Sequence, residues 1–185
     1  MSGATCRVVK LGGSLISFDA LAAALQAWYA GQPRLRTLFV VGGGAEVDEL
    51  RERQRRERHV DNREAHWLAI GAMQENARRL AAVLPEGVET VDAWNFMQAD
   101  LLGPDPLPES WDVTSDSIAA RVAERERAQE LVLLKSALPA DAGNLSGYVD
   151  EYFAHAAKSL PQIRLVDLRD PQFAELRITL KHATG

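Results

Sequence analysis

Lysine, aspartate, serine and glycine recur in four short segments of this chain, in combinations suited to binding phosphate. The segments are Lys10 with Gly12, Gly13 and Ser14; Gly42, Gly43 and Gly44; the "TSDS" turn at residues 114–117, which contains Asp116; and Lys135 with Ser136. Glycines let the backbone approach a ligand closely, and backbone N–H groups at a following helix start can hold phosphate oxygens. A lysine beside such a loop adds a compact positive charge. These segments predict a phosphate-binding site if the fold brings them together.

Lysine is rare in the chain, and two of its lysines share one setting. Only four of the 21 basic residues are lysines, and Lys10 and Lys135 each end a short apolar run, "CRVVK" and "LVLLK". Lys10 could follow a phosphoryl group as it moves, and Asp116 could hold two ammonium groups by charge-assisted hydrogen bonds. The simpler alternatives are that Lys10 ends a strand at the surface and that Asp116 only favours a helix start.

The remaining polar segments carry less specific signals. "GGG" could be a tight turn without a ligand, since it matches neither a dinucleotide fingerprint nor a P-loop. The stretch "RERQRRERHVDNRE" is typical of a solvated helix face, although its arginines could grip a phosphate bidentately. The histidines show no metal-ligand spacing, which favours surface or packing roles. They are His59, His66, His155 and His182.

The whole chain has the size and composition of one globular domain. Its 185 residues, 46% hydrophobic and 25% charged, can bury a core without disulfides or metals, so residues 1–185 are interpreted as a single domain. The net charge of -5 argues against a nucleic-acid partner. The lone cysteine, Cys6, and the lack of any apolar stretch near ~20 residues predict a cytoplasmic protein without a leader or a membrane anchor.

Strands and helices alternate along the sequence, and this alternation determines where the polar segments would meet. The runs "CRVVKL", "TLFVV", "ELVLLK" and "IRLVDL" predict buried strands, and "VETVDA" a further short one. One helix is expected in "SFDALAAALQAWYAG", with Ser17 as N-cap and Gly31 as its end. Others are expected after "GGG", from Glu64, in "AWNFMQA", near Ser115 and in "DEYFAHAAKSL". The pattern predicts an α/β sandwich with a mainly parallel sheet, and all four polar segments fall where its strands end.

Four segments of the chain, in their order and spacing, resemble the amino acid kinase family, which includes aspartate, acetylglutamate and uridylate kinases. The segments are "VVKLGGSL", "LFVVGGG", "WDVTSDSIAARVA" and "LVLLKS". The resemblance implies a three-layer α/β sandwich with a mainly parallel central sheet, the carbamate kinase-like fold. It implies ATP as cosubstrate, Mg²⁺ carried by the ATP phosphates, and phosphoryl transfer to a carboxylate, carbamate or phosphate. We also expect a homo-oligomer.

The resemblance implies roles for individual residues. Lys10 would contact the transferring phosphoryl group, and Asp116 would organise the lysines. Gly12, Gly13 and Ser14 would wrap the ATP phosphates, and Gly43 and Gly44 would help to bind the acceptor and the γ-phosphate. We further expect Ser136 on the ATP side and Gly42 on the acceptor side. The chain departs from larger members at "LLKSALPADAGN", where they carry a threonine–aspartate strand end and a long nucleotide-binding segment. We infer that Lys135 replaces their second catalytic lysine.

A narrower resemblance concerns the acceptor. "HWLAIGAMQENARRLA", "SDSIAARVA", "LLKS" and "YVDEYFAHA" are similar to the short kinase of methanofuran biosynthesis, which converts aminomethylfuran-methyl phosphate to its diphosphate. A phosphate acceptor would need its own cations, for which Arg55, Arg58 and Arg63 are the nearest supply. The aminomethyl group would need an acidic partner, Asp61 or Asp112. The alternatives are a non-catalytic ligand-binding, regulatory or storage subunit of the same fold, and a kinase for a carboxylate or carbamate.

Overall fold

A computed structural model of the chain describes residues 6–56, 61–141 and 145–178. In chain order its elements are β1 (Cys6–Leu11), a single 3₁₀ turn (Gly13–Leu15), α1 (Leu21–Ala30), β2 (Arg36–Val41), α2 (Gly44–Arg56), α3 (Asn62–Leu80), β3 (Glu89–Thr90), α4 (Ala93–Asp100), α5 (Ser115–Arg125), β4 (Glu130–Lys135), α6 (Phe153–Ala156), β5 (Ile163–Asp167) and β6 (Glu175–Ile178). None of the helices in these ranges combines the length and apolar character needed to cross a bilayer.

The described strands form one sheet in the order β3-β2-β1-β4-β5-β6. Strands β1 to β5 run parallel, and only β6 is antiparallel to its neighbour. Strand β1 is buried along its whole length, as expected for a parallel strand covered on both faces. The predicted α/β architecture with a mainly parallel sheet is confirmed.

Each face of the sheet packs against helices, which gives three layers. Successive side chains of a strand point to opposite faces, so Val8 and Val9 enter different cores. Val8 belongs to the core built with residues of α3, α4, α5 and α6, such as Ile118. Val9 belongs to the core built mainly with α1, including Trp28. Burial of these two apolar layers provides the main driving force for folding.

The same alternation explains why two lysines meet on one face of the sheet. Lys10 follows Val8 by two residues, and Lys135 follows Leu133 by two, so both lysines lie on the face that α5 covers. Lys10 pairs in register with Leu133 of β4. Lys135 therefore lies two residues beyond Lys10 toward the carboxyl end of the strands, with its side chain on the same face. Both ammonium groups therefore reach the carboxyl edge of the sheet, beside the start of α5.

Three elements differ from the sequence-based predictions. The N-cap predicted at Ser17 is wrong, because tight turns occupy the residues after β1 and α1 begins only at Leu21, with Ala20 as its N-cap. The predicted end at Gly31 is confirmed. The helix predicted in "DEYFAHAAKSL" is reduced to the single turn α6, and the strand predicted in "VETVDA" to β3. The antiparallel strand β6 was not predicted.

Candidate active site

A buried carboxylate at the start of α5 holds two lysines at the edge of the sheet. Lys10 Nζ lies 2.9 Å from Asp116 Oδ1, and Lys135 Nζ lies 2.8 Å from Asp116 Oδ2. Lys10 and Asp116 are each only 5% exposed. The alternative in which Lys10 merely ends a strand at the surface is therefore wrong. Lys135 also donates a hydrogen bond of 2.6 Å to the carbonyl oxygen of Tyr148.

The electrostatics of this trio leave a positive charge available to a ligand. Burial acts to raise the pKa of Asp116, but the ammonium groups of Lys10 and Lys135 outweigh it and hold that pKa below its usual range. Burial and the neighbouring charge of Lys10 lower the pKa of Lys135 to about 8, although Asp116 opposes the shift. Near neutral pH two ammonium groups thus face one carboxylate, and the surplus positive charge suits a phosphate.

The start of α5, which carries Asp116, is fixed from another part of the chain. Asp150 Oδ2 accepts hydrogen bonds from Thr114 N at 2.9 Å, Thr114 Oγ1 at 2.7 Å and Ser117 N at 3.0 Å. Ser117 Oγ donates to the other oxygen of Asp150. Thr114 is the local N-cap and accepts a long bond of 3.5 Å from Asp116 N. Capping is thus done by Thr114 and Asp150, which leaves the carboxylate of Asp116 to the lysines.

Two glycine turns meet backbone to backbone beside the trio. The turn after β1 is anchored by a hydrogen bond from Gly12 N to Leu134 O, and the turn after β2 by one from Gly42 N to Leu11 O, each 2.9 Å long. A Cβ on Gly13 would lie 2.5 Å from Gly44 N, so a side chain there would force the turns apart. Gly44 has φ of 63°, in the left-handed region that favours glycine.

Asn76 of α3 sets the orientation of the second turn. Its buried side-chain nitrogen donates to Gly42 O at 3.1 Å and to Gly43 O at 2.9 Å. In a trans peptide the N–H points opposite to the C=O, so the N–H groups of Gly43 and Gly44 point away from Asn76. No backbone hydrogen bond between described residues is donated by these two groups. They are donors at the start of α2, where an anion is favoured.

A cavity of about 240 Å³ opens beside these groups. Lys10 and both glycine turns line one part of it, and Ile70 and Met73 of α3 line another. His66, Arg51 and Trp111 complete much of its wall. We call it the first cavity. It combines backbone donors and a buried lysine with an apolar wall, which suits a small organic anion.

A second, larger cavity of about 950 Å³ shares Trp111 in its wall with the first. Asp116, Tyr148 and Arg55 contribute to its lining. Arg51, Trp111 and Thr114 line both cavities. The guanidinium of Arg51 lies 4.9 Å from the centre of the Trp111 ring, a cation–π contact that positions this arginine between the cavities.

The structure brings together most residues predicted to hold phosphates. Gly13, Ser14, Gly43 and Gly44 line the first cavity, and Gly12 and Gly42 lie in the two turns. Ser14 and Ser136 are joined through their hydroxyl oxygens, 3.0 Å apart, so the turn after β1 meets the end of β4. The sequence-predicted set therefore occupies one continuous part of the sheet edge.

The residues predicted to bind the acceptor are more scattered. Arg55 and Asp112 line the second cavity. The exposed Arg63 instead forms an ion pair of 2.9 Å with the partly buried Glu109. Asp61 is the exposed N-cap residue of α3, and neither Arg63 nor Asp61 lines the two cavities. Arg58 lies outside the described residues, as do His59 and His182.

Sequence reasoning missed Arg51, His66, Tyr148 and Asp150. Arg51 had a detectable signal, because Val47, Arg51 and Arg55 recur every four residues and so share one face of α2. Tyr148 acts through its backbone carbonyl, for which a sequence carries no signal. Within the described ranges no group of three or more histidine, cysteine, aspartate or glutamate side chains is arranged to hold a metal ion.

Comparisons with solved structures show the same fold in known proteins. The solved structure of uridylate kinase from Archaeoglobus fulgidus superposes with a TM-score of 0.56 at 20% identity, covering 86% of this chain and 89% of that chain. UMP kinase from Ureaplasma parvum gives 0.56 at 14% identity, covering 92% of each chain. UMP kinase from Bacillus anthracis gives 0.57 at 14% identity, covering 95% of this chain and 99% of that chain.

These likenesses establish the fold, while the family is established by sequence. No curated protein matches the chain significantly. The sequence profile of the amino acid kinase family matches residues 5–98, about half of the chain, including β1, β2 and both glycine turns. The chain thus belongs to the amino acid kinase family and is a phosphotransferase of that family.

Proposed function

We propose that the protein transfers the γ-phosphoryl group of ATP to a phosphate monoester and so forms a diphosphate. The observation that carries this proposal is the pairing of Asp116 with both Lys10 and Lys135 beside two glycine turns. A cap or a surface strand end would not need two buried ammonium groups on one carboxylate. Phosphoryl transfer does need them, because its catalysis rests on positioning and on neutralising charge.

In the proposed reaction an acceptor oxygen attacks the γ-phosphorus, the bond from that phosphorus to the bridging oxygen breaks, and ADP leaves. Lys10 and Lys135 stabilise negative charge on the transferring group, and Asp116 fixes their ammonium groups. Gly12, Gly13, Ser14 and Ser136 hold the ATP phosphates. Gly43 and Gly44 offer their free N–H groups where donor and acceptor meet. Mg²⁺, carried by the ATP phosphates, supplies further positive charge.

The first cavity supports a phosphate as the acceptor. Arg51 joins Lys10 in its wall, so the acceptor side has a cation besides those that serve ATP. Arg51 takes the place that the sequence prediction gave to Arg55, Arg58 or Arg63. The similar solved structures are uridylate and UMP kinases, and UMP is itself a phosphate monoester. The resemblance to the methanofuran branch makes aminomethylfuran-methyl phosphate the acceptor we propose.

The test is ADP formation with a panel of acceptors. Purified protein, ATP and Mg²⁺ are incubated with the furan phosphate, UMP, a carboxylate and a carbamate, and products are identified by mass. We expect one added phosphoryl group on the furan phosphate. Lys10→Ala should lower turnover about a hundredfold or more, since it removes a preorganised charge. Lys158→Ala, which removes an exposed lysine elsewhere, should leave it unchanged.

The other outcomes identify the alternatives. Turnover of the carboxylate or carbamate alone would contradict a phosphate acceptor. Binding of ATP without ADP formation from any acceptor would favour the non-catalytic subunit. Equal turnover by folded Lys10→Ala would remove Lys10 from the reaction.

A further inference from the structure

His66 on α3 has one satisfied ring nitrogen and one unsatisfied ring nitrogen. Its side chain is buried, with the residue only 2% exposed. Nδ1 lies 3.1 Å from the carbonyl oxygen of Ser110. Nε2 is also buried but has no hydrogen-bond partner within the described part of the chain. A buried polar atom without a partner costs free energy unless a ligand or water satisfies it.

The contact with Ser110 determines what Nε2 can do. A carbonyl oxygen only accepts hydrogen bonds, so Nδ1 carries the proton and Nε2 presents a lone pair. Burial lowers the pKa of His66 despite opposing effects of the Ser110 carbonyl and of Glu109, which favours the neutral ring. His66 therefore offers a ligand an acceptor and not a positive charge. It would repel a phosphate oxygen and attract an N–H or O–H group.

His66 lies away from the phosphate-binding end of the first cavity. Helices α2 and α3 run antiparallel, because Arg79 bonds to Glu46 at one end and Gln54 bonds to Asn62 at the other. The first of these contacts is at the glycine turns, where α2 begins. His66 is one turn beyond Asn62, and Asn76, which holds the second glycine turn, is about 15 Å further along the helix axis.

The wall of the cavity connects the two ends. His66, Ile70 and Met73 recur along one face of α3, and all three line the first cavity. A ligand with its phosphate at Lys10 and the glycine turns would thus place its other end against His66. Other charged groups facing this region are Arg51 and Asp48 of α2, and Glu109, which is engaged by Trp67 and Arg63.

We propose that His66 determines acceptor specificity by accepting a hydrogen bond from an amino or hydroxyl group at the end of the acceptor opposite its phosphate. This inference rests on the proposed function for the position of the acceptor. It assigns the first cavity a substrate class, a phosphate monoester with a hydrogen-bond donor at its far end. It also gives α3 a role in recognition besides its role in the core.

The test compares three furan-methyl phosphates that differ only at the far substituent, which is aminomethyl, hydroxymethyl or methyl. Binding to the full-length protein is measured by calorimetry without ATP, so turnover is not required. The aminomethyl or the hydroxymethyl compound should bind at least about tenfold more tightly than the methyl compound, because the methyl group leaves Nε2 unpaired. Which of the two binds more tightly identifies the donor.

Variants then connect the preference to the ring. His66→Leu should abolish the preference while leaving the affinity for the methyl compound and for ATP within about twofold. His66→Gln, which can still accept a hydrogen bond, should retain part of it. Should His66→Leu not fold, the wild-type protein still provides a test, since acidification that protonates the ring must reduce the preference. Phosphate titration is common to all three compounds and cancels in their ratio.

Equal binding of the three compounds by the wild-type protein would overturn the inference. So would an unchanged preference in folded His66→Leu, or a lack of binding by every compound. A preference that depends on His66, with no phosphoryl transfer to any compound, would support this inference and contradict the proposed function.

Discussion

Lys135 shares its carboxylate partner with a second lysine, and this sharing makes its charge sensitive to pH. Its pKa is lowered to about 8 by burial and by Lys10, from an ordinary value of 10.5. Asp116 counters this shift and keeps the group mainly protonated at neutral pH. The positive charge of Lys135, which we propose neutralises phosphate charge, is therefore lost in alkaline solution.

We expect kcat/KM for ATP to fall as pH rises through about 8, by about tenfold per unit above it, since kcat/KM reports groups of the free enzyme. Stability should change in the opposite direction. Between about 8 and 10.5 the unfolded chain binds more protons than the folded one, so unfolding becomes less favourable as pH rises. Lys135→Met should lose activity and also lose this alkaline decline. A pH-independent kcat/KM from 7 to 10 in the wild-type protein would contradict the assignment.

At the scale of elements, the start of α5 depends on a residue far away in sequence. Asp150 accepts hydrogen bonds from Thr114 and Ser117, and the segment that carries it also presents the Tyr148 carbonyl to Lys135. The segment at 145–150 thus contacts both the helix that carries Asp116, through Asp150, and the ammonium group of Lys135, through the carbonyl of Tyr148. The site is a meeting of three elements, β1, β4 and α5, held by the segment at 145–150.

Asp150→Ala should lower both stability and turnover. Loss of a carboxylate that caps a helix costs about 1–2 kcal/mol of stability. Turnover should also fall, because the start of α5, which carries the Asp116 partner of Lys135, is no longer held in place. Thermal unfolding and steady-state kinetics measure the two effects. Glu86→Ala removes an exposed acidic side chain elsewhere and should change neither. A stable Asp150→Ala protein with wild-type turnover would show that the segment does not position the site.

The contact between the glycine turns gives a second test at this scale. Gly13→Ala should reduce turnover strongly, because the new Cβ would lie 2.5 Å from Gly44 N and must displace one turn. Gly71→Ala is the matched control, since its Cβ would meet nothing within 4 Å and the position is inside α3. It should stabilise the protein by about 0.5–1 kcal/mol at unchanged turnover. Equal turnover in the two variants would contradict the role of the turns.

These elements also show what a sequence can and cannot predict. Lys10, Asp116 and Lys135 were predicted as a set because each lies where a strand ends or a helix begins, and a parallel sheet brings those points to one edge. Asp150 was not predicted, because its partners Thr114 and Ser117 lie more than 30 residues away, with most of α5 and all of β4 in between. His66 was assigned a surface or packing role because its unsatisfied nitrogen is visible only once the surrounding residues are placed.

At the scale of the whole molecule, a second buried ionic cluster lies at the opposite end of the strands. Glu130, at the start of β4, pairs with Arg7 and with Arg164, the latter at 2.9 Å. Burial acts to raise the pKa of Glu130, but both arginines outweigh it and lower that pKa. The sheet thus has charged groups buried at both ends of its strands. Those around Asp116 border the two cavities, whereas Glu130, Arg7 and Arg164 line neither of them.

Glu130→Gln should destabilise the fold by about 3–5 kcal/mol, since it leaves the buried guanidinium group of Arg7 without a carboxylate, whereas Arg164 keeps its ion pair with Glu175. Glu89→Gln, at an exposed pair with Arg36, should have little effect.

The lowered pKa values of Glu130 and Asp116 also predict acid sensitivity. Their contribution to stability is present above their ordinary values of 4.5 and 3.8 and is lost as pH falls through the lower folded values. Denaturant unfolding at several pH values measures both the effect of the substitution and the acid sensitivity. A Glu130→Gln protein of wild-type stability would contradict the predicted role of the Glu130 ion pairs.

The fold was more predictable than the details of its edges. Runs of apolar residues in β1, β2, β4 and β5 gave the parallel sheet, because strands buried on both faces have no polar alternation. Strand β6 was missed because its exposed residues include Glu175 and Arg177. Of the arginines predicted for the acceptor, Arg55 lines the second cavity, whereas Arg51, one helical turn earlier on the same face of α2, lines both cavities and was not singled out. Only the packing of α2 against α3 shows which positions of that face reach each cavity.

Phosphoryl transfer to a phosphate oxygen can be observed directly by ³¹P NMR. A mixture of protein, ATP, Mg²⁺ and aminomethylfuran-methyl phosphate should lose its monophosphate signal and gain the coupled pair of a diphosphate, in step with the appearance of ADP. Asp116→Asn, in which the carboxylate that orients both lysines is lost, should give neither change under the same conditions. A monophosphate signal that persists while ATP is consumed, or equal rates for the wild-type protein and Asp116→Asn, would contradict a phosphate kinase built on Lys10, Asp116 and Lys135.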